Sequence, residues 1–278
     1  MSEHFRAFSF VDRIASVQPG VSVRGTYTIP GGLTEFSSSL VAEAAGQLAA
    51  WAAMAAVDFK SRPVAGIAGL VEMLAPVQPG QILELAADIE SVDEGAIGYH
   101  ASVTVQGKPV LRLRDCVGPM LPVEEFDDAQ ALRDRYALIC GAGAPVEVFQ
   151  GVPDFPLENL TGNSGENIKA NLQVPAAAAF FKDHFPRKPV FPGSLLMQCK
   201  LQLVGQLAAQ LPPPEDGTRW KLQSVVDMKL RVFLPPGEAL ELEVKFLGIE
   251  NGTATVGVTS RRGGKPAGSA RATLVAEK

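Results

Sequence analysis

His184 stands in the run Asp183-His184-Phe185-Pro186-Arg187-Lys188-Pro189-Val190-Phe191-Pro192-Gly193, and it is one of three histidines in 278 residues. An imidazole titrates near neutral pH and suits proton transfer. The prolines at 186, 189 and 192 fix the backbone ahead of a helix that begins after Pro192. Gly193 has no side chain to block close approach. The first amides of a helix are unpaired donors at the positive end of its dipole, where developing negative charge is stabilised. A carboxylate is similarly isolated at Glu43, within Glu43-Ala44-Ala45-Gly46-Gln47 on an Ala-rich apolar stretch. Proton transfer beside amide donors is the chemistry these residue types offer. Each also has a plainer reading. A lone histidine is more often structural, a carboxylate on such a helix can be a satisfied buried group, and Phe180, Phe181, Phe185 and Phe191 serve equally as core packing.

The run 183–193 resembles the active-site motif of the 3-hydroxyacyl-(acyl carrier protein) dehydratases, which have the hot-dog fold. Arg187 departs from that motif, which usually has Gly there. In the family an acidic residue follows the histidine by fourteen positions on the central helix, and here 184 + 14 gives Gln198. The acid occurs instead at Glu43, whose own histidine slot, 43 − 14, holds Ile29. The family builds each site from the histidine of one subunit and the acid of its partner. The resemblance therefore implies a fused dimer with one complete site, His184 with Glu43, and one incomplete site, Ile29 with Gln198.

The same resemblance implies a reaction. Water would be eliminated from a 3-hydroxyacyl thioester to give a 2-enoyl thioester, in fatty-acid or polyketide-type biosynthesis. His184 would take the C2 proton and Glu43 would protonate the departing hydroxyl. The amide at Gly193 would hold the thioester oxygen, with Phe185, Phe191 and Pro192 against the substrate. Neither a cofactor nor a metal is needed. The substrate would arrive on acyl carrier protein, an acidic partner for which Lys182, Arg187, Lys188 and Lys200 would form a basic rim; a solvated surface is the equal alternative. Two other functions fit the same pattern: a hot-dog thioesterase or hydratase acting on acyl-CoA, and a non-catalytic acyl-binding or scaffold subunit.

The elements that must position these residues occur twice. Glu43 and Gln47 align with Gln198 and Gln202 at an offset of 155. Pro79-Gly80-Gln81-Ile82-Leu83-Glu84-Leu85 aligns with Pro236-Gly237-Glu238-Ala239-Leu240-Glu241-Leu242 at 157, and Gly107-Lys108-Pro109 with Gly264-Lys265-Pro266 at 157. Such near-constant spacing marks an internal repeat. The first copy predicts strands at 21–29, 66–74, 82–92, 96–106 and 109–117, with a helix at 40–57 behind the N-cap oxygens of Ser37, Ser38 and Ser39. The second predicts strands at 166–174, 222–233, 239–249, 253–260 and 268–275, with a helix at about 194–210. Residues 123–139 read as a linker helix stopped near Gly141 and Gly143. The expected class is α+β, a double hot-dog in a pseudo-dimeric chain. Its units are 1–122, a linker at 123–150, and 151–278.

The remaining features narrow the class. A hydrophobic content of 46%, a charged content of 20% and a net charge of −5 suit a globular chain and argue against nucleic acid as partner. The stretch 40–57 carries Glu43 and Gln47, so it reads as a core helix rather than a membrane span. The first residues show no signal-peptide pattern, and three cysteines without metal-ligand spacing suit reduced thiols in the cytoplasm. His4 and His100 are both expected to face solvent.

Overall fold

The computed structural model describes residues 4–146, 148–215 and 217–277. Two long helices, α1 (Ser38–Ala56) and α3 (Gly193–Ala208), are wrapped by strands that repeat in the same order. The first set is β1 (Arg13–Gln18), β2 (Ser22–Thr28), β4 (Ile67–Met73), β5 (Ile82–Val92), β6 (Ala96–Val105) and β7 (Lys108–Pro122), with a short β3 (Ser61–Pro63) beside β7. The second set is β8 (Leu157–Asn163), β9 (Asn167–Gln173), β10 (Trp220–Leu230), β11 (Ala239–Glu250), β12 (Thr253–Arg262) and β13 (Lys265–Ala276). The sheet order β1-β2-β5-β6-β7-β4-β10-β13-β12-β11-β9-β8 is a palindrome of equivalent strands. Every pairing is antiparallel.

Helix α3 starts 155 residues after α1 (193 − 38). Strands β11, β12 and β13 each start 157 after β5, β6 and β7 (239 − 82, 253 − 96, 265 − 108). The repeat read from the sequence is therefore a repeat in space, and the architecture is the double hot-dog. The copies join where β4 pairs with β10, through Val71↔Val225, Leu70↔Val226 and Ala68↔Met228.

Helix α1 shows why an Ala-rich segment is stable here. Leu40, Val41, Ala44, Ala45, Leu48, Ala49, Ala52 and Ala53 are buried, a stripe wide enough to face a curved sheet. The less buried positions 42, 43, 46, 47 and 50 form a second stripe at helical spacing, and Glu43 and Gln47 lie on it. Ser37 caps α1 by accepting from the Leu40 amide. At α3 the capping position is Pro192, and no side chain covers the first amides.

The connection differs from the expected single helix. Residues Val123–Glu125 make one 3-10 turn, and α2 (Ala129–Cys140) begins only after Asp128, which accepts from the Gln130 and Ala131 amides. An N-cap carboxylate in that position sets the helix start at 129. Three strands, β1, β3 and β8, were not expected from the sequence.

Candidate active site

The loop from the 3-10 turn Ala179–Lys182 to α3 carries His184. The His184 carbonyl accepts from Val190 N at 3.0 Å, and the His184 amide donates to Phe180 O at 2.9 Å, so both backbone groups of this residue are tied. The ring nitrogen Nδ1 lies 2.9 Å from Val190 O. A carbonyl can only accept, so Nδ1 carries the proton and Nε2 is left as a base. The ring stacks on Phe185, centroids 4.1 Å apart, and meets the edge of Phe8 at 5.8 Å. Burial lowers the imidazole pKa; the negative charge of Glu43 opposes that shift, while the positive charge of Arg62 adds to it. The ring is accordingly neutral at neutral pH.

Glu43 comes from the other copy, on the half-buried stripe of α1. Gln47, one turn on, donates from Nε2 to Glu43 Oε1 at 3.0 Å and to Phe8 O at 3.0 Å, while its Oε1 accepts from Phe10 N at 2.8 Å. One amide side chain thus fixes the carboxylate and fastens the N-terminal segment over the site. That segment is also held by Asp183, which accepts from the amides of Phe5, Ala7 and Phe8 at 2.5, 2.8 and 2.7 Å.

His184 and Glu43 line one cavity of about 430 Å³, together with Gly193 and Ser194 at the start of α3. Phe8, Met197, Tyr99 and Leu113 supply apolar wall. Gly193 and Ser194 belong to the helix end that has no side-chain cap, so a base, a carboxylate and the start of α3 border the same space. At Gly193 an added Cβ would lie 2.4 Å from Leu230 Cδ1, so a larger residue there would push the Leu230 side chain aside.

Arg62, on β3, also lines the cavity and was not legible in the sequence. Its Nη1 pairs with Asp127 at 3.0 Å and its Cζ lies 3.9 Å from the Phe185 ring centroid. Burial pulls its pKa down to about 10 against the opposing charge of Asp127, which leaves it cationic at neutral pH. Asp127 also faces His4, whose Nε2 is 3.3 Å away, and His4 Nδ1 is 3.5 Å from Asp183. His4 is therefore not solvent-facing as expected: 14% of its side chain is exposed, between two buried carboxylates. Burial opposes its protonation, but those acids raise its pKa to about 9. His100 does lie at the surface, 2.9 Å from Glu90.

Residues 157–264 match the FabA-like domain family. The C-terminal copy contains a FabA-like domain. A curated relative from Pectobacterium atrosepticum, the 3-hydroxyacyl-[acyl-carrier-protein] dehydratase FabZ, is 31% identical over 96 residues, which are 34% of this chain and 64% of that one. The match thus spans just under two thirds of that relative's length. Among solved structures, a chain from Lactobacillus plantarum assigned as an oleoyl thioesterase shares the fold at a TM-score of 0.61 and 8% identity, over 95% of this chain and 98% of that one. The 12:0-ACP thioesterase from Umbellularia californica does so at a TM-score of 0.55 and 12% identity, over 92% and 94%.

The FabA-like domain contributes His184 and the start of α3, whereas Glu43 lies outside it. Phe185 and Phe191 line the cavity. Pro192 is not among the lining residues and serves instead as the cap position of α3. Phe180 and Phe181 are core packing, buried against each other.

The basic rim is corrected by the structure. Lys200 is 1% exposed, because it sits on the face of α3 turned into the FabA-like domain's own sheet, and it cannot meet a partner. Arg187 and Lys188 are exposed to different degrees but are paired within the chain, with Asp128 at 3.0 Å and Glu125 at 3.2 Å. They clamp the motif loop to the linker. Lys182 is exposed.

The mirror position pairs different groups. Ile29 is fully buried, and Gln198 Oε1 accepts from the Ser37 hydroxyl at 3.0 Å. The same serine caps α1 by accepting from the Leu40 amide, whereas the equivalent end of α3 has Pro192 and no side-chain cap.

Proposed function

We propose that the chain is a dehydratase that removes water from a 3-hydroxyacyl thioester to give a 2-enoyl thioester. The observation that carries this reading is that His184 and Glu43, from opposite copies, line one cavity at the uncapped start of α3. His184 Nε2 takes the proton from C2. The electron pair forms the C2–C3 double bond, and the C3–O bond breaks as Glu43, in its carboxylic acid form, gives its proton to the hydroxyl, so water leaves; the proton held by His184 then returns to the Glu43 carboxylate and resets both groups. Charge that builds on the thioester oxygen is met by the amides at Gly193 and Ser194. Phe185 and Phe191 shape the acyl path, and Gln47 is the positioning residue for Glu43.

In this reading, residues 1–122 and 151–278 are two hot-dog units joined by 123–150, and the Ile29/Gln198 site is inert. The acyl group is carried on acyl carrier protein, as the name of the FabZ relative states for that protein.

The test is mass-resolved loss of water from a panel of 3-hydroxyacyl thioesters, offered on carrier protein and on coenzyme A. Glu43→Gln and His184→Ala should each lower turnover by about 10²–10⁴-fold, the range typical of a lost acid or base. Free thiol without an enoyl product would replace the dehydratase by a thioesterase. Retained acyl binding with neither product would make the chain a scaffold.

A further inference from the structure

The two groups that would move protons sit on different copies, His184 on the loop ahead of α3 and Glu43 on α1, and one short segment reaches both sides. Residues 4–10 belong to no strand, and Phe5, Phe8 and Ser9 of this segment line the cavity. On the histidine side Asp183 accepts from the amides of Phe5, Ala7 and Phe8, and from the Ser9 hydroxyl at 3.3 Å. A carboxylate that deeply buried has little solvent to replace those donors, so the segment is what satisfies it. On the acid side Gln47 binds the Phe10 amide and the Phe8 carbonyl, and the nitrogen that meets Phe8 also donates to Glu43. Between the two anchors the Phe8 ring meets the edge of His184. Hydrogen bonds therefore run without a break from Asp183, through the backbone of Phe8 and the amide of Gln47, to the Glu43 carboxylate. His184 directly follows Asp183, so the path begins beside the base and ends on the acid. The backbone ties of His184 itself, to Phe180 and Val190, stay within the copy that carries it.

We propose that Asp183 is a positioning residue which, acting through residues 4–10 on Gln47, sets how far the Glu43 carboxylate stands from the His184 ring. The proposal rests on the dehydratase reading above, with His184 as base and Glu43 as acid. Removal of the C2 proton and protonation of the C3 hydroxyl require both groups on one substrate, and a misplacement of about 1 Å costs about 10²-fold in rate. The acyl group still enters the same cavity when the segment is loose. The loss therefore falls on kcat rather than on ground-state binding.

The test uses the full chain with Asp183→Asn, Gln47→Ala and the two together. Turnover of 3-hydroxyoctanoyl-pantetheine gives kcat, and calorimetry with octanoyl-pantetheine, its thioester replaced by an amide, gives binding. Each single change should lower kcat by about 10–100-fold, while affinity for the amide stays within about threefold. The double variant should be no slower than Gln47→Ala alone, because Asp183 then has no link left to act through; independent effects would multiply. A multiplied loss, an unchanged kcat in Asp183→Asn, or an affinity that falls as far as kcat overturns the proposal. Should Asp183→Asn not fold, Ser9→Ala removes one donor to the same carboxylate, and an unchanged kcat there overturns it too. Crystal structures of the native chain and of Asp183→Asn read the same claim without turnover. The separation of Glu43 from His184 should change by about 1 Å, and an unchanged separation overturns the proposal. Absence of water loss in the native chain counts against the dehydratase alone.

Discussion

A carboxylate with 1% of its side chain exposed must find donors inside the protein, and Asp183 finds three backbone amides and a histidine. It is the residue directly before His184, so the fastening of the N-terminal segment and the placement of the base share one loop. The electrostatics at His184 give a first expectation. Burial and Arg62 hold its pKa below the ordinary 6.5, so the acid limb of kcat/KM should fall below that pH. Removing the cation in Arg62→Met should move the limb upward, read from a pH–rate profile. Lys200 gives a second. Burial lowers its pKa from 10.5 to about 8, and among the described residues Nζ has no hydrogen-bond partner. A lysine depressed in the fold costs stability at low pH, and the cost is relieved as pH rises from about 8 to 10.5. Lys200→Met should therefore stabilise the chain by about 3 kcal/mol at neutral pH in urea titrations, with a smaller gain at pH 10. His4 has the opposite sign. Its raised pKa stabilises the fold below the ordinary value of 6.5, and the contribution is lost as pH rises through about 9. His184 and Glu43 could be singled out in the sequence because each sits in a recognisable local pattern. Arg62, Asp127, Asp183 and His4 could not, because their meeting brings together four separate segments and none carries a local signature of burial.

The N-terminal segment is the element most exposed to single changes. Residues 4–10 have no strand of their own and are held by side chains of Asp183, Gln47 and Asp127. Asp183→Ala should release residues 5–8 while leaving the sheet intact, seen as faster amide exchange confined to that stretch. Gln47→Ala should leave the Phe10 amide and the Phe8 carbonyl unpaired, at a cost of about 1–3 kcal/mol in denaturant unfolding. The inner strands and both long helices were legible from the sequence, since one face of each is buried and the pattern records it. In strand β6 the buried positions Ala101, Val103 and Val105 alternate with less buried ones. The strands that escaped notice bury little. In β1 only Ile14 is buried, in β8 nothing is, and β3 has three residues including a proline. Backbone pairing does most to hold β1 and β8 in the sheet, Arg62 also ties β3 to Asp127, and pairing leaves no trace in side-chain periodicity.

Across the whole molecule, the β4–β10 seam makes two wrapped helices into one hydrogen-bonded body. The cavity takes its carboxylate from one side of that seam and its histidine from the other, while the mirror position is filled by Ile29 and the Ser37–Gln198 pair. On the proposed reading each chain has one acyl site, and calorimetric titration with an unreactive acyl-pantetheine amide should saturate at one per chain. The linkage through α2 has a further effect on how the site responds to scarcity. When two separate subunits must meet to complete a site, mass action empties it on dilution below their dissociation constant. Here the second half is always present at the effective concentration set by a short tether, so specific activity should stay constant however far the protein is diluted.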